Sequence, residues 1–350
     1  MEERVLILKM LSEGKISAEE AEKLLAAMGS EKINNQSKNE IGQKFESVSS
    51  DITDAASKFA DKMIHFVGGI YEKVSDRYKY TNTFNLSPEN LKKLFFSANN
   101  CGMIVAKSSN SEITLKLDIS SFMEINSFDG ILETNQEGDN FFIKAKFPSN
   151  CWGIAEISVP ENLEEVEFRG INGKIEINSF NAAVLKTVTS NAKIEIIDVA
   201  AKQIEALTDN AKINFKNVKA DYSVLRSSNG KIEMDCCDIV NVNGRTSNGA
   251  IKLPCIVVNN DNNYDLQLET SNGAVSIAFE KVIPHGFSID ASTSNGKINV
   301  DLNSIKYNSA KISLGSSSPV LLKSDNDESS TAKINIKAKT INGPISIEEK

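Results

Sequence analysis

The chain has 350 residues, of which 40% are hydrophobic and 25% charged, values typical of a folded globular protein. This length provides enough material for two domains or more. The formal net charge of −8 argues against a general affinity for nucleic acid, and no apolar run reaches the roughly 18 to 20 residues that a membrane-spanning helix needs.

Residues 1–29 have the pattern of a helical hairpin. Gly14 ends the first helix, Ser17 and Glu20 form a capping box for the second, and Gly29 closes it. About 28 residues cannot bury enough surface to be stable alone, so the hairpin is expected to pack on the same chain, a second copy or a protein partner. The candidate docking face is formed by Leu8, Leu11, Leu24 and Leu25. The opening residues do not resemble a secretory signal, and we therefore expect a cytoplasmic location.

A polar linker over residues 30–40 leads to a predicted amphipathic helix over residues 41–79. Its apolar residues recur every three or four positions from Ile41 to Val74, a heptad-like stripe typical of a coiled coil. The stripe predicts contact with a partner helix, with the flank of the repeats or with a membrane surface. The candidate contact residues are Phe59, Met63, Phe66 and Ile70.

From residue 80 onward the chain alternates apolar and polar residues in short runs, which predicts strands. Residues 80–170 are expected to form either irregular first coils or a β cap on the exposed end of a repeat stack.

Copies of the segment SNGKIEM, Ser228 to Met234, recur through the second half of the chain. The coils are most regular over about 171–253, where the marker asparagine recurs every 19 residues, and the later steps lengthen to 24, 23 and 47. We predict that the corner residues adopt positive φ and that the asparagines stack as a structural ladder. The ladder residues are Asn172, Asn191, Asn210, Asn229, Asn248, Asn272 and Asn295.

A repeat of about 20 residues suits one coil of a β-solenoid better than a propeller blade, which needs roughly 40. The apolar residues alternate after each corner, and a second apolar column contains Phe180, Val199, Val218, Cys237 and Ile256. We therefore predict a mainly β chain: a right-handed parallel β-solenoid over residues 80–350, preceded by the small α-helical module.

The sequence contains no catalytic, cofactor-binding or metal-binding motif, so we expect a protein that is not an enzyme and has no cofactor. Glycoside hydrolysis needs two opposed carboxylates, whereas the outward Glu176, Glu195 and Glu233 lie beside a column of lysines that neutralises them. Cys236 and Cys255 occupy the same column of neighbouring repeats, either as two small buried thiols or, in an oxidising compartment, as a bonded pair.

Two segments resemble known bacterial families. AEISVPENLEEVEFRGINGKIEI, with the repeats that follow it, resembles the β-strand-repeat family labelled "putative adhesin". ILKMLSEGKISAEEAEKLLAAM resembles the SHOCT-like helical domain that precedes such repeats in proteins similar to the Lia-type cell-envelope stress regulators. The resemblance implies a non-enzymatic role near the cell envelope.

The expected function is therefore a non-catalytic scaffold or regulatory interaction protein, cytoplasmic and in contact with a protein partner, a second copy or the membrane surface. A surface adhesin or extracellular sensor that binds glycan or protein is the alternative. A β-helix polysaccharide lyase or hydrolase is a third.

Overall fold

The computed structural model describes residues 64–66, 70–74, 77–124, 130–148, 150–259, 261–280, 285–302, 314–315, 319–324, 330 and 332–350. Every regular element in these ranges is a β-strand, and there are 26 of them. They form two walls, A and B, that enclose one apolar interior, and the chain passes from one wall to the other in each coil. This part of the chain is a β-solenoid-like fold.

Wall A contains, in spatial order, β1 (Ile64–Phe66) and β2 (Ile70–Val74), both beside β3 (Arg77–Leu86), then β6 (Ile113–Ser121), β9 (Cys151–Val159), β5 (Cys101–Lys107), β11 (Ile175–Asn178), β13 (Ile194–Ile197), β15 (Ile213–Lys216), the first part of β17 (Ile232–Thr246), β18 (Ile251–Ile256), β20 (Val275–Phe279), β26 (Ile345–Glu349), β22 (Lys297–Asp301) and β23 (Leu314–Gly315).

Wall B contains, in spatial order, β7 (Leu132–Glu137), β8 (Asn140–Ala145), β4 (Lys93–Ala98), β10 (Leu163–Gly170), β12 (Asn181–Thr189), β14 (Ala200–Thr208), β16 (Lys219–Ser227), the second part of β17, β19 (Tyr264–Thr270), β25 (Lys333–Thr340), β21 (Gly286–Thr293) and β24 (Val320–Lys323).

The interior is filled by the alternate residues of both walls. In β11, Ile175 and Ile177 are fully buried and Glu176 faces outward, and the following coils repeat this alternation. The second apolar column, from Phe180 to Ile256, is also buried. Because successive side chains of a strand point to opposite faces, every second residue, which is apolar, points into the interior. Neighbouring coils pair residue for residue, as Ile175 does with Ile194.

Both ends of the solenoid depart from sequential stacking. At the start, β4 and β5 lie between the coil of β8 and β9 and the coil of β10 and β11. At the other end, β25 and β26 lie between the coil of β19 and β20 and the coil of β21 and β22. Antiparallel strands follow outside these coils: β6 and β7 at the start, β23 and β24 at the end. They cover backbone edges that would otherwise be open to pairing with another chain.

The asparagine corner holds neighbouring coils in register. From Asn172 onward, each carboxamide donates an Nδ2 hydrogen to the Oδ1 of the preceding asparagine in the ladder, at 2.7 to 2.9 Å. The ladder runs in the order Asn100, Asn172, Asn191, Asn210, Asn229, Asn248, Asn272, Asn342 and Asn295. Asn342 therefore precedes Asn295, in agreement with the strand order.

The prediction of positive φ at this corner is correct for Asn100, with φ of 53°, and wrong for the other ladder residues. In the regular coils positive φ occurs at the opposite corner, at Ser179, Asp198, Asn217 and Cys236. The glycines of the asparagine corner are needed because the coils approach closely there. A Cβ atom on Gly230 would lie 1.7 Å from the carbonyl oxygen of Ala211. Ala192 and Ala211 take the glycine position in two coils.

A buried hydroxyl adds a second bond at the same corner. Thr246 Oγ1 donates to the carbonyl oxygen of Gly230 at 3.0 Å, and Thr270 Oγ1 donates to that of Gly249 at 2.8 Å. These hydroxyls are buried and satisfy carbonyl groups that the strand ladders do not use.

The predicted helix over residues 41–79 is wrong for its last part. Residues 64–66 and 70–74 are β1 and β2, which pair antiparallel with β3, and β3 itself begins at Arg77. Residues 41–63 of that helix, the hairpin over 1–29 and the linker over 30–40 lie outside the described residues. The three- and four-residue spacing predicts a helix, but antiparallel pairing with the following strand, β3, decides the structure here.

We expect Asn210→Ala to lower stability by about 1–3 kcal/mol, because it removes one donated and one accepted bond at about 0.5–1.5 kcal/mol each. Asn295 forms one ladder bond among the described residues, which it donates to Asn342. Asn295→Ala should therefore lower the stability by about half as much. Urea denaturation followed by circular dichroism measures both. Equal effects of the two substitutions would show that the ladder does not act as a chain of pairwise bonds.

Candidate functional site

The docking and contact residues predicted from sequence are not assembled into a site by the described residues. Leu8, Leu11, Leu24, Leu25, Phe59 and Met63 lie outside those residues. Phe66 and Ile70 belong to β1 and β2. The asparagine ladder is occupied by its own hydrogen bonds, so its amides serve the fold.

The outward face of wall A carries a ladder of ion pairs. Glu195 accepts from Lys174 at 2.7 Å and from Lys193 at 2.8 Å. Glu233 binds Lys231 and Lys212 in the same way, and Lys174 also binds Glu176.

Asn214 takes the glutamate position in the remaining coil and donates to Glu195 at 3.2 Å. Each of these carboxylates is therefore neutralised by an adjacent ammonium group. The column provides solubility and register and does not form an opposed acid and base pair.

A cluster of exposed aromatic residues lies at the start of the solenoid. Phe122 follows the last residue of β6, Trp152 is the second residue of β9, and Arg77 begins β3. Register brings them together, because Tyr78 pairs with Ser121 and Ser120 pairs with Trp152. We call Arg77, Phe122, Met123, Trp152 and Ile154 the end patch.

In the end patch two aromatic rings meet at an interplanar angle of 48°, and a guanidinium group lies over both. The Phe122 and Trp152 ring centroids are 4.9 Å apart, and the Arg77 guanidinium carbon lies 5.4 Å from the first and 5.8 Å from the second. Phe122 is 62% exposed and Met123 67%, values that leave most of their apolar surface in water. Cation–π contact holds the patch in one arrangement while its outer surface stays free.

Sequence reasoning missed the end patch because its members are distant in the chain. A signal is nevertheless present. Phe122 and Met123 are two consecutive apolar residues directly after a strand in which apolar and polar residues alternate. Trp152 is the single tryptophan of the chain and takes an outward position in its strand.

A pocket of about 500 Å³ lies on the outward face of wall B near the same end. The Phe95 and Phe142 rings stack in it, with centroids 4.9 Å apart and planes 13° apart. Asn135 and Glu167 flank the rings in register, and Arg169 donates to Glu167 at 2.8 Å. The sequence signal is the pair of Phe-Phe dipeptides at 95–96 and 141–142, in which one ring must face outward.

No helix among the described residues is long and apolar enough to cross a membrane.

Comparison with protein families finds two matches. The Toastrack DUF4097 profile matches residues 131–348, more than half of the chain. A SHOCT-like domain profile matches residues 2–33, which lie outside the described residues. A search of curated proteins finds no match.

Solved structures similar to this chain include three bacterial proteins. A "putative cell adhesion protein" from Clostridium sporogenes is 12% identical with a TM-score of 0.26, and the match covers 77% of this chain and 99% of that one. A "putative lipid binding protein" from Parabacteroides distasonis is 14% identical with a TM-score of 0.40, covering 77% and 96%. A "putative adhesin" from Bacteroides fragilis is 11% identical with a TM-score of 0.38, covering 77% and 97%.

The ion-pair ladder predicts a specific acid sensitivity. Partial burial raises the pKa of Glu195, but the ammonium groups of Lys174 and Lys193 outweigh it and lower the pKa from 4.5 to about 2. A carboxyl group whose pKa is lowered by folding stabilises the folded state fully above the unfolded pKa, and that contribution is lost as the pH falls through the folded pKa. We therefore expect the stability difference between the wild type and Glu195→Gln to shrink between about pH 4.5 and about pH 2.

Denaturant midpoints measured across this range test the prediction. Glu348→Gln, which removes an exposed carboxylate at the end of the solenoid, is the control. A wild-type advantage over Glu195→Gln that stays constant down to about pH 2 would contradict the assigned pKa.

Proposed function

This chain belongs to the Toastrack DUF4097 family, and we propose that it is a non-catalytic scaffold or regulatory interaction protein linked to the bacterial cell envelope. In this proposal the solenoid is a right-handed, rigid support, and residues 1–29 form a helical hairpin that adds a second contact. The preference of parallel strand connections for right-handed crossovers supports the winding. The SHOCT-like match supports the hairpin, and the link to the envelope is proposed from the sequence resemblance to Lia-type stress proteins alone.

The end patch is the observation that carries the interaction role. Aromatic residues, methionine and arginine are the residue types enriched in the cores of protein interfaces, and they dominate binding energy there. Phe122, Trp152, Met123 and Arg77 combine all of them on one exposed surface. We therefore assign a protein partner to the end patch.

The charge pattern agrees with a scaffold. The outward carboxylates of wall A are bound to lysines of the same or the neighbouring coil, so the middle of the solenoid offers a neutralised, hydrated face. A binding surface that loses little conformational freedom gains affinity, and two aromatic rings in mutual contact at the end of a rigid repeat meet that condition.

A photo-crosslinking amino acid in place of Met123 tests the proposal in native cells treated with a membrane-active antibiotic. We expect one protein adduct, identified by mass spectrometry. The purified partner should then shift the emission of Trp152 to shorter wavelength, because binding removes the ring from water. The double variant Phe122→Ser, Met123→Ser should weaken this binding at least about 10-fold, since two interface anchors are lost.

The matched control is Tyr222, which is 40% exposed in the middle of the solenoid. A crosslinker there should give no adduct, and Tyr222→Ser should bind the partner normally. Adducts with lipid alone, or equal adducts from both positions, would refute a protein partner at the end patch.

A surface adhesin that binds glycan is the second candidate, and the Phe95–Phe142 pocket favours it. Its volume falls in the range of small-molecule sites, and it joins an apolar ring surface to amide, carboxylate and guanidinium groups. Such a function requires the protein outside the cell, whereas the scaffold proposal places it in the cytoplasm.

Treatment of intact cells with protease separates the two candidates. Protection, with movement from the soluble to the membrane fraction under antibiotic stress, is the result expected for the scaffold. Cleavage on intact cells, together with glycan binding that Phe142→Ser abolishes and Tyr222→Ser preserves, would replace the scaffold proposal with the adhesin.

A further inference from the structure

Two thiols and one carboxylate converge on the surface where β17 leaves wall A. The Sγ atoms of Cys236 and Cys255 and a carboxylate oxygen of Asp235 all lie within 4.8 Å of one another. Cys236 is exposed, and Cys255 and Asp235 are half-buried, so the group is open to solvent. The expectation of two buried thiols is therefore wrong, since neither side chain is fully buried, while the two residues are indeed neighbours.

A register shift assembles this group. Cys236 occupies the positive-φ corner, with φ of 50°, in the column of Ser179, Asp198 and Asn217. Side chains of this column touch between coils, as Asn217 Nδ2 and Asp198 Oδ1 do at 2.9 Å. The pairing shifts between Glu233 and Asp235, so that Asp235 faces Cys255, and it shifts back before Cys237, which faces Ile256. Strict 19-residue stacking would place Pro254 opposite Asp235.

The electrostatics of the group favour a cation. Among the described residues Asp235 forms no ion pair, although the carboxylates further along the same wall do. Three groups able to carry negative charge therefore face each other. Lys216 lies opposite Asp235 in register, and the Lys350 ammonium group donates to the carbonyl oxygen of Pro254, beside Cys255.

We propose that Asp235, Cys236 and Cys255 form a binding site for a thiophilic divalent cation, with Zn²⁺ as the ion that the donor set fits best. Two sulfur donors and one carboxylate oxygen are zinc ligands, and the fourth tetrahedral position is left to water or an outside ligand. Tetrahedral zinc with Zn–S bonds of about 2.3 Å holds two sulfurs about 3.8 Å apart. Atoms already within 4.8 Å need only small side-chain movements to reach this geometry.

Binding exchanges protons for the metal. Each thiol loses its proton as a Zn–S bond forms, so one ion releases two protons and no oxidant or reductant takes part. The ion then links the coil of β17 to the coil of β18 at the place where their register is irregular. Metal bound by the folded chain alone stabilises that chain in proportion to the free ion concentration.

Cobalt titration of the reduced, metal-free full-length protein tests the site. We expect one Co²⁺ per chain, with a sulfur-to-cobalt charge-transfer band and the visible bands of tetrahedral cobalt, both removed by Zn²⁺. Cys236→Ser and Cys255→Ser should each weaken Co²⁺ binding more than about 100-fold, because each removes a ligand, and loss of a residue that only hydrogen-bonds a ligand weakens binding by about 10- to 100-fold. Asp235→Asn should keep the charge-transfer band and bind at least about 10-fold more weakly.

Two features keep the test independent of folding. Serine already occupies this corner at Ser179, so Cys236→Ser is compatible with the backbone, and circular dichroism checks each variant. Asp198→Asn, in the same corner column, should leave binding unchanged. Absence of the charge-transfer band in the wild type would overturn the proposal, as would full binding by the double serine variant. A Cys236–Cys255 disulfide, detected by mass spectrometry as the loss of two hydrogen masses, would also overturn the proposal if it persisted in mild reductant with excess Zn²⁺.

Discussion

Each coil meets the next in register at its asparagine corner, and the packing of both walls depends on that alignment. Three features act on this corner together: the carboxamide ladder outside, the buried hydroxyl bonds such as Thr246 to Gly230, and the glycines that allow backbone contact. A slip by one residue would turn the apolar residues of each strand outward. The short sequence motif thus specifies a long-range order that no single coil could hold by itself.

The same constraint explains the ends of the solenoid. A stack of parallel coils has two open edges, each with unpaired backbone groups. In this chain the outermost coils interlock out of sequence order, and antiparallel strands cover them. Because Asn342 lies between Asn272 and Asn295 in the ladder, the C-terminal coil is held from both sides. The end of the chain is thereby included in the cooperative stack.

Much of this fold could be predicted from sequence, because a 19-residue repeat records its own register. The two walls, the buried column from Phe180 to Ile256 and the stacking of asparagines depend only on that repeat. The coil order at the ends could not be predicted, since the spacing there loosens and pairing is non-local. The stripe from Ile41 to Val74 misled for another reason, because in its last part antiparallel pairing with the following strand, β3, outweighs the helix-like spacing. The end patch also depends on pairings between distant strands.

The regular coils in the middle of the solenoid differ from its irregular parts in how much surface they leave for binding. Where coils repeat closely, charges are matched by their neighbours, as Glu195 is by Lys174 and Lys193, and little is left for another molecule to bind. The two groups proposed to bind other molecules lie where the repeat is irregular. The end patch forms at the ends of β3, β6 and β9, and the group of Asp235, Cys236 and Cys255 forms at a register shift. In a repeat protein, a departure from periodicity lowers the stability of the fold. Positions where the repeat is irregular are therefore the places to look for a function separate from folding.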